Sequence, residues 1–144
     1  MIPAELRAAW EVAYRRTEYL VDLPAGELVL RVDLHRQHDD ERLHQEAGVK
    51  TGWAIVTACN PGSQACGEEE NGRLQEELTE IVQQLDLRCI NSVNRDPQAD
   101  WPDEPGYLLC DPPAGFAEEL GRHLRQNAIL VGKLGEAPQL LWLE

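Results

Sequence analysis

Six consecutive residues, Trp53 to Ala58 (WAIVTA), constrain the fold of this 144-residue chain more than any other segment. Successive side chains of a strand point to opposite faces of the sheet, and here both faces carry apolar residues. Strands of this kind are buried on both sides, as they are in the centre of a covered sheet. The chain must therefore supply neighbouring strands and helices that cover the sheet.

Three segments have the spacing of apolar residues at three and four positions that an amphipathic helix requires. They are residues 3–16, a segment that starts near Glu68 and runs to about Leu85, and residues 114–125. The second is the clearest, because its apolar stripe faces away from a row of Glu and Gln side chains. Pro3 suits the first turn of the first helix, where a missing N–H is harmless.

Short apolar or alternating runs between turn residues predict the strands. These runs are residues 17–22, 27–33, 53–58, 87–92, 107–110, 128–131 and 140–143, with a hairpin turn at residues 23–26. The polar segment 34–50 is predicted to be a loop that contains one short helix. The order α-β-β-β-α-β-β-α-β-β predicts an α+β fold: a single-domain sandwich over residues 1–144, with a mixed β-sheet and about three packed helices.

Charge excludes several classes of partner. The chain carries 26 acidic and 13 basic residues, a formal net charge of −13. Such a field repels nucleic acids and anionic membranes. The N-terminus lacks the basic patch and apolar core of a signal peptide, and no apolar run approaches the roughly 20 residues of a membrane span. We expect a cytoplasmic protein with four reduced cysteines and no nucleic-acid or membrane partner.

The turn after the central strand, TACNPGS (residues 57–63), is the first candidate site. Gly62 to Gly67 have the spacing of a phosphate-binding loop, but Glu68 and Glu69 stand where lysine and a hydroxyl residue are required, so this interpretation fails. Two interpretations stay open. Asn60 and Ser63 satisfy free backbone donors of a stiff turn, or they contact a ligand.

Metal binding and nucleophilic catalysis have weaker support. His35, His38 and His44 lie among acidic residues, but their spacing is that of a solvated loop more than of a zinc site, and we expect no metal and no cofactor. Cys59 is the best thiol candidate, because it precedes a helix whose N-terminus could lower the pKa of the thiol.

Two further segments combine polar and aromatic residues. Trp101 and Glu104 lie in the loop ADWPDEPGY, where they form either a wall of a small-molecule pocket or a lid over the core. Gln126 and Asn127 lie between a helix and an apolar strand. Their amides either fix the loop backbone or bind the polar edge of a ligand.

Taken together, these motifs occur in a recognisable order. The segments Y-x-x-T-E-Y (residues 14–19), TA-x-NP-x-S, WPDEP and QNAI, with Asn71 between the second and third, span nearly the whole chain and resemble an uncharacterised bacterial family, domain-of-unknown-function family 3293. In that family pattern an aromatic residue replaces Cys59 and a glycine replaces Arg125. The resemblance implies no activity, but it groups eight residues into one candidate site: Thr57, Asn60, Ser63, Asn71, Trp101, Glu104, Gln126 and Asn127.

Two functions follow as hypotheses. In the first, these residues form a pocket for a polar small molecule, with Glu104 as the candidate general acid or base and Arg15 and Arg73 as candidate counter-charges. In the second, the protein is a non-enzymatic module whose acidic surface binds a basic protein partner. Neither hypothesis assigns a reaction class, and whether the protein is an enzyme is left open.

Overall fold

The structure, a computed structural model, describes residues 2–143. In this part of the chain the helices and strands are α1 Ala4–Arg16, β1 Glu18–Leu23, β2 Gly26–Leu30, α2 Gln37–Arg42, β3 Gly52–Thr57, α3 Glu68–Gln83, β4 Cys89–Arg95, β5 Glu104–Cys110, α4 Phe116–His123, β6 Ala128–Lys133 and β7 Gln139–Trp142. A π-helical turn, Leu43–Ala47, follows α2, and a 3₁₀ turn, Pro61–Ser63, precedes α3.

All seven strands form one sheet in the order β2-β1-β4-β5-β3-β6-β7. Every pairing is antiparallel, so the predicted mixed sheet is wrong. The reason lies in the two helical crossovers. α3 joins strands β3 and β4, which run in the same direction, but β5 lies between them. α4 joins β5 and β6 in the same way, with β3 between them, so each crossover skips one strand.

The prediction for the central strand is confirmed. β3 lies between β5 and β6, and every residue from Trp53 to Thr57 is buried. Trp53 and Ile55 face one core with Leu43 of the π-helical turn, whereas Ala54 and Val56 face a second core with α3 and α4. Both faces of the sheet are therefore covered, as the apolar sequence of this strand requires.

The α+β class and the order of elements are confirmed, with α2 as the short helix of segment 34–50. The sandwich description is only approximate, because the sheet is curled into a half-barrel. Two strands also extend beyond their predicted ranges of 87–92 and 107–110: β4 ends at Arg95, and β5 begins at Glu104. The single domain over residues 1–144 stays a prediction, and its end residues Met1 and Glu144 lie outside the described residues.

The first helix differs from the other long helices, because none of its residues is fully buried. Leu6 of its apolar stripe is 47% exposed. The helix instead contacts Trp142 of β7. The ring centroids of Tyr14 and Trp142 are 5.7 Å apart, and the guanidinium carbon of Arg7 lies 4.5 Å from the centroid of the same indole ring. α1 therefore lies across one end of the sheet without completing a core.

Candidate functional site

A cavity of about 240 Å³ lies beneath α1, at the end of the sheet where β3 finishes. In an antiparallel sheet, the C-terminal ends of some strands lie beside the N-terminal ends of their neighbours. The ends of β3 and β4 therefore meet the beginnings of β1, β5 and β6 around this cavity. Its apolar wall is formed by side chains of α1, β3, β6 and β7: Trp10, Ala13, Ile55, Ala128, Leu130 and Leu140.

The cavity is closed on one side by contacts between α1 and the rest of the chain. The Tyr14 hydroxyl forms a hydrogen bond with the Ser63 hydroxyl. Arg16 forms an ion pair with Asp96, with 3.2 Å between Nε and Oδ1. Burial raises the pKa of the Tyr14 phenol, although the hydrogen bond to Ser63 opposes this effect. Side-chain contacts thus attach a surface helix across the mouth of the cavity.

Asn60 is the centre of the turn that follows β3. It is 3% exposed and has a left-handed backbone conformation, φ 49° and ψ 59°, which asparagine tolerates better than most residues. Its Oδ1 accepts hydrogen bonds from the Cys66 backbone N–H at 2.9 Å and from Asn71 Nδ2 at 2.8 Å. Its backbone N–H donates to Asn71 Oδ1 at 2.9 Å. These contacts hold the turn against the first turn of α3.

The side-chain NH₂ group of Asn60 binds Glu104. Asn60 Nδ2 donates to Glu104 Oε2 at 2.6 Å, and Trp101 Nε1 donates to the same oxygen at 2.9 Å. Within residues 2–143 no hydrogen bond occupies the other carboxyl oxygen, Oε1. Burial raises the pKa of the Glu104 carboxyl group, and the two hydrogen bonds oppose this effect only in part. One oxygen is thus anchored by protein donors, and the other is free to contact a bound molecule.

A second set of hydrogen bonds joins the turn to the start of β6. Thr57 Oγ1 donates to Gln126 Oε1 at 3.3 Å, and Gln126 Nε2 donates to the Cys59 carbonyl at 3.3 Å. Asn127 Nδ2 donates to Ser63 Oγ at 2.8 Å. The same serine therefore contacts both α1 and the start of β6, so the two amides fix the position of the turn.

Comparison with known proteins supports the resemblance seen in the sequence. Residues 56–129, just over half of the chain, match a family described as "Protein of unknown function (DUF3293)". The chain belongs to this family. No curated protein and no solved structure matches it.

The match to DUF3293 contains all eight candidate site residues, whereas α1, β1 and β2 lie outside it. Six of the eight line the cavity: Thr57, Asn60, Ser63, Trp101, Glu104 and Gln126. The other two, Asn71 and Asn127, do not line it but hold Asn60 and Ser63 in place. The structure thus brings the DUF3293 motifs together at one end of the sheet.

Several cavity residues were not among the candidate site residues predicted from the sequence. Trp10 and Tyr14 belong to a helix that was expected to pack on the sheet, and Asn94 lies beyond the predicted strand 87–92. The DUF3293 match does not extend to α1 either. Asn94 reaches the cavity because it lies directly opposite Tyr19 and Glu104 in the sheet, a register that depends on tertiary pairing.

The predicted counter-charges are wrong. Arg15 forms an ion pair with Asp33, and Arg73 forms one with Glu70 at 2.6 Å. Neither arginine lines the cavity, where the cation is Arg16 instead. Arg15 and Arg73 lie on solvent-exposed helix surfaces, which the sequence pattern alone did not distinguish from the site.

The suggested activation of Cys59 is also wrong. Burial raises the pKa of its thiol to about 11, and the nearby charge of Glu104 acts in the same direction. The thiol is therefore protonated at neutral pH and a poor nucleophile.

Arg125, the position where the DUF3293 pattern has glycine, has φ 56°, a left-handed conformation that favours glycine.

The histidine-rich segment forms ordinary surface contacts. His35 Nε2 lies 2.6 Å from Asp40 Oδ2. No group of three or more His, Cys, Asp or Glu side chains within residues 2–143 is arranged to hold a metal ion. In the same residues, no helix is both long and apolar enough to cross a membrane.

Proposed function

We propose that the cavity beneath α1 binds a small molecule and that Glu104 is the carboxyl group that contacts it, as a general acid or base if chemistry follows. One observation carries this proposal: Glu104 lines the cavity and is held through Oε2 by two donors, while Oε1 has no hydrogen bond from the described residues. A carboxyl group positioned in this way has a fixed orientation and a free acceptor.

The size of the cavity supports a ligand of metabolite size. An apolar cavity of roughly 150 Å³ holds benzene, and sites for drug-sized ligands span roughly 300–1,000 Å³. The cavity of about 240 Å³ lies between these limits. Because its wall combines aliphatic and aromatic side chains with a few polar groups, it suits a molecule with an apolar body and one polar end.

The environment of Glu104 suits proton transfer. Burial raises the pKa of the carboxyl group from its ordinary value of 4.5, towards the pH range in which an acid or base exchanges protons most effectively. Carboxyl groups in apolar pockets perform this role in several enzymes. Thr57, Asn60, Ser63 and Gln126 then orient the bound molecule or the loops around it.

A thermal-shift screen of uncharged, cationic and anionic metabolites tests the proposal. A ligand present at 100 times its Kd stabilises the folded state by about 2.7 kcal/mol, which raises Tm by roughly 5–10 °C for a chain of this size. The discriminating variant is Ala13→Leu, which fills the cavity from α1 and leaves Glu104 intact. Its matched control is Ala8→Leu, at an exposed position of the same helix.

We expect ligands that raise the Tm of the wild-type protein and of Ala8→Leu but not that of Ala13→Leu. If no compound stabilises the wild-type protein, or if Ala13→Leu responds as the wild-type protein does, the cavity is not a binding site. The basic protein partner expected from the acidic composition stays a prediction.

A further inference from the structure

We infer that the molecule bound in this cavity is an organic cation, a protonated or quaternary amine with a compact apolar body. This inference rests on the proposed function and adds the chemical class of the ligand. Three features support it: the aromatic residues around the cavity, the balance of charge, and a pair of hydrogen-bond acceptors.

Aromatic side chains are concentrated at the cavity. The whole chain has four Trp, three Tyr and one Phe. Half of these eight residues line this one cavity: Trp10, Tyr14, Tyr19 and Trp101. The faces of aromatic rings carry partial negative charge and attract cations, and cages of such rings bind quaternary ammonium groups. Two of these residues come from α1, one from β1 and one from the loop before β5.

The charges around the cavity also favour a cation. Its lining includes three carboxylate residues, Asp96, Asp100 and Glu104, and one basic residue, Arg16. Arg16 forms an ion pair with Asp96, which compensates its charge, although its buried Nε has no hydrogen-bond partner among the described residues. An anionic ligand would be repelled by Glu104 without a free basic group to compensate. A cation would instead neutralise a half-buried carboxylate whose ionised form is disfavoured by burial.

Two acceptors are placed to receive the hydrogens of one ammonium group. Asn94 lies opposite Glu104 in the pairing of β4 with β5, and both line the cavity. The Asn94 Oδ1 atom is buried and has no hydrogen-bond partner among the described residues. Directly opposite residues of an antiparallel pair have Cβ atoms about 4.5–5.5 Å apart. An ammonium group has three donors, so it can contact Asn94 Oδ1 and Glu104 Oε1 together.

The test compares molecules that share an apolar body and differ only in charge. For benzyl, cyclohexyl and n-butyl bodies, the primary amine, the alcohol and the carboxylate are titrated into the full-length protein by calorimetry at about pH 7.5. Benzyltrimethylammonium is added as a cation without donors or a titratable group. Charged hydrogen bonds contribute about 1.5–3 kcal/mol and cation–π contacts about 0.5–2 kcal/mol. We therefore expect the amine to bind at least about tenfold more tightly than the matched alcohol, and the carboxylate most weakly.

Variants assign this preference to the cavity. Glu104→Gln should reduce the preference for amine over alcohol to about twofold or less. Glu80→Gln, which removes an exposed carboxylate of α3, should leave both affinities unchanged. Binding of benzyltrimethylammonium should weaken as the pH is lowered from about 8 to about 4, because Glu104 then becomes protonated while the ligand keeps its charge.

The outcomes separate the two proposals. If the alcohols or carboxylates bind as tightly as the amines, the cation assignment is overturned while the binding function stands. The assignment also fails if Glu104→Gln keeps the full preference for the amines. If no member of any series binds at about 10 mM, and the broader screen also yields no ligand, both proposals are wrong.

Discussion

Replacing Asn60 by alanine should destabilise the protein by several kcal/mol, because this side chain connects three separate segments. The substitution removes the 2.6 Å hydrogen bond to Glu104 and those received from the Cys66 backbone at 2.9 Å and from Asn71 at 2.8 Å. Trp101 still donates to Glu104, and Asn71 keeps a weaker 3.4 Å contact with the Cys66 carbonyl. The loss is therefore partial at two of the three partners.

The magnitude follows from these contacts. A buried polar group that loses its partner costs about 1–3 kcal/mol, and partial compensation places the three losses together at about 3–5 kcal/mol. Alanine in the left-handed conformation of residue 60 adds about 1 kcal/mol. The total, about 4–6 kcal/mol, is a large share of the 5–15 kcal/mol by which native domains are typically stable.

Urea unfolding followed by circular dichroism measures this loss, and an unchanged m-value shows that the transitions are comparable. Asn60→Gly removes the same hydrogen bonds but tolerates the left-handed conformation, so it should be milder than Asn60→Ala by about 1 kcal/mol. A double-mutant cycle with Asn71→Ala should give a coupling energy of about 1–3 kcal/mol. A loss below about 1.5 kcal/mol for Asn60→Ala would refute the reasoning, since the turn would then be held by other contacts.

Four further substitutions test the fold and the site. Gly106→Ala should destabilise the protein by more than about 3 kcal/mol in urea unfolding, because a β-carbon at this position would lie 2.2 Å from a backbone oxygen of β3. Gly72→Ala should stabilise the protein by about 0.5–1 kcal/mol, because residue 72 lies in α3 with open space around an added β-carbon. Equal effects of the two substitutions would contradict the geometry. The raised pKa of Glu104 means that the folded state holds this proton more tightly than the unfolded state does, so its contribution to stability is present below about pH 4.5 and is lost as the pH rises through the folded pKa. Glu104→Gln should therefore gain stability relative to wild type between about pH 4 and pH 8 in thermal unfolding, and a constant difference would argue against a raised pKa. Arg125→Gly should raise the free energy of unfolding by up to about 1 kcal/mol in the same assay, because residue 125 has φ 56° and glycine adopts this conformation without strain. A clear destabilisation would show that a contact of the arginine side chain stabilises the protein by more than this strain costs.

Local patterns were sufficient to predict the order of the elements. The buried character of β3 and the stripe of α3 are properties of neighbouring residues, and both were identified from spacing alone. The prediction of a mixed sheet failed because helical crossovers usually join adjacent parallel strands. Here β5 is inserted between β3 and β4, and no local pattern records which strand lies between two others.

The candidate site also contains residues that local sequence patterns predict and residues that only the tertiary structure brings in. Asn60, Glu104 and Gln126 were identified because their polar side chains stand at turns and element ends, where a structural role and a binding role have the same sequence signal. Asn94 and Tyr14 were not placed in the candidate site. Asn94 depends on the register of β4 against β5, and Tyr14 depends on how α1 lies across the end of the sheet.

For this protein, the sequence by itself determined the seven strands, the long helices and the turn TACNPGS, since these depend on interactions between residues a few positions apart. Only the tertiary structure decided that this turn closes a cavity, because residues 14, 60, 94, 104 and 126 are brought together by strand pairing and by the docking of α1. The same pairing decided the chemistry of the cavity. The described residues donate no hydrogen bond to Glu104 Oε1 or to the buried Asn94 Oδ1, and four aromatic residues line the same cavity.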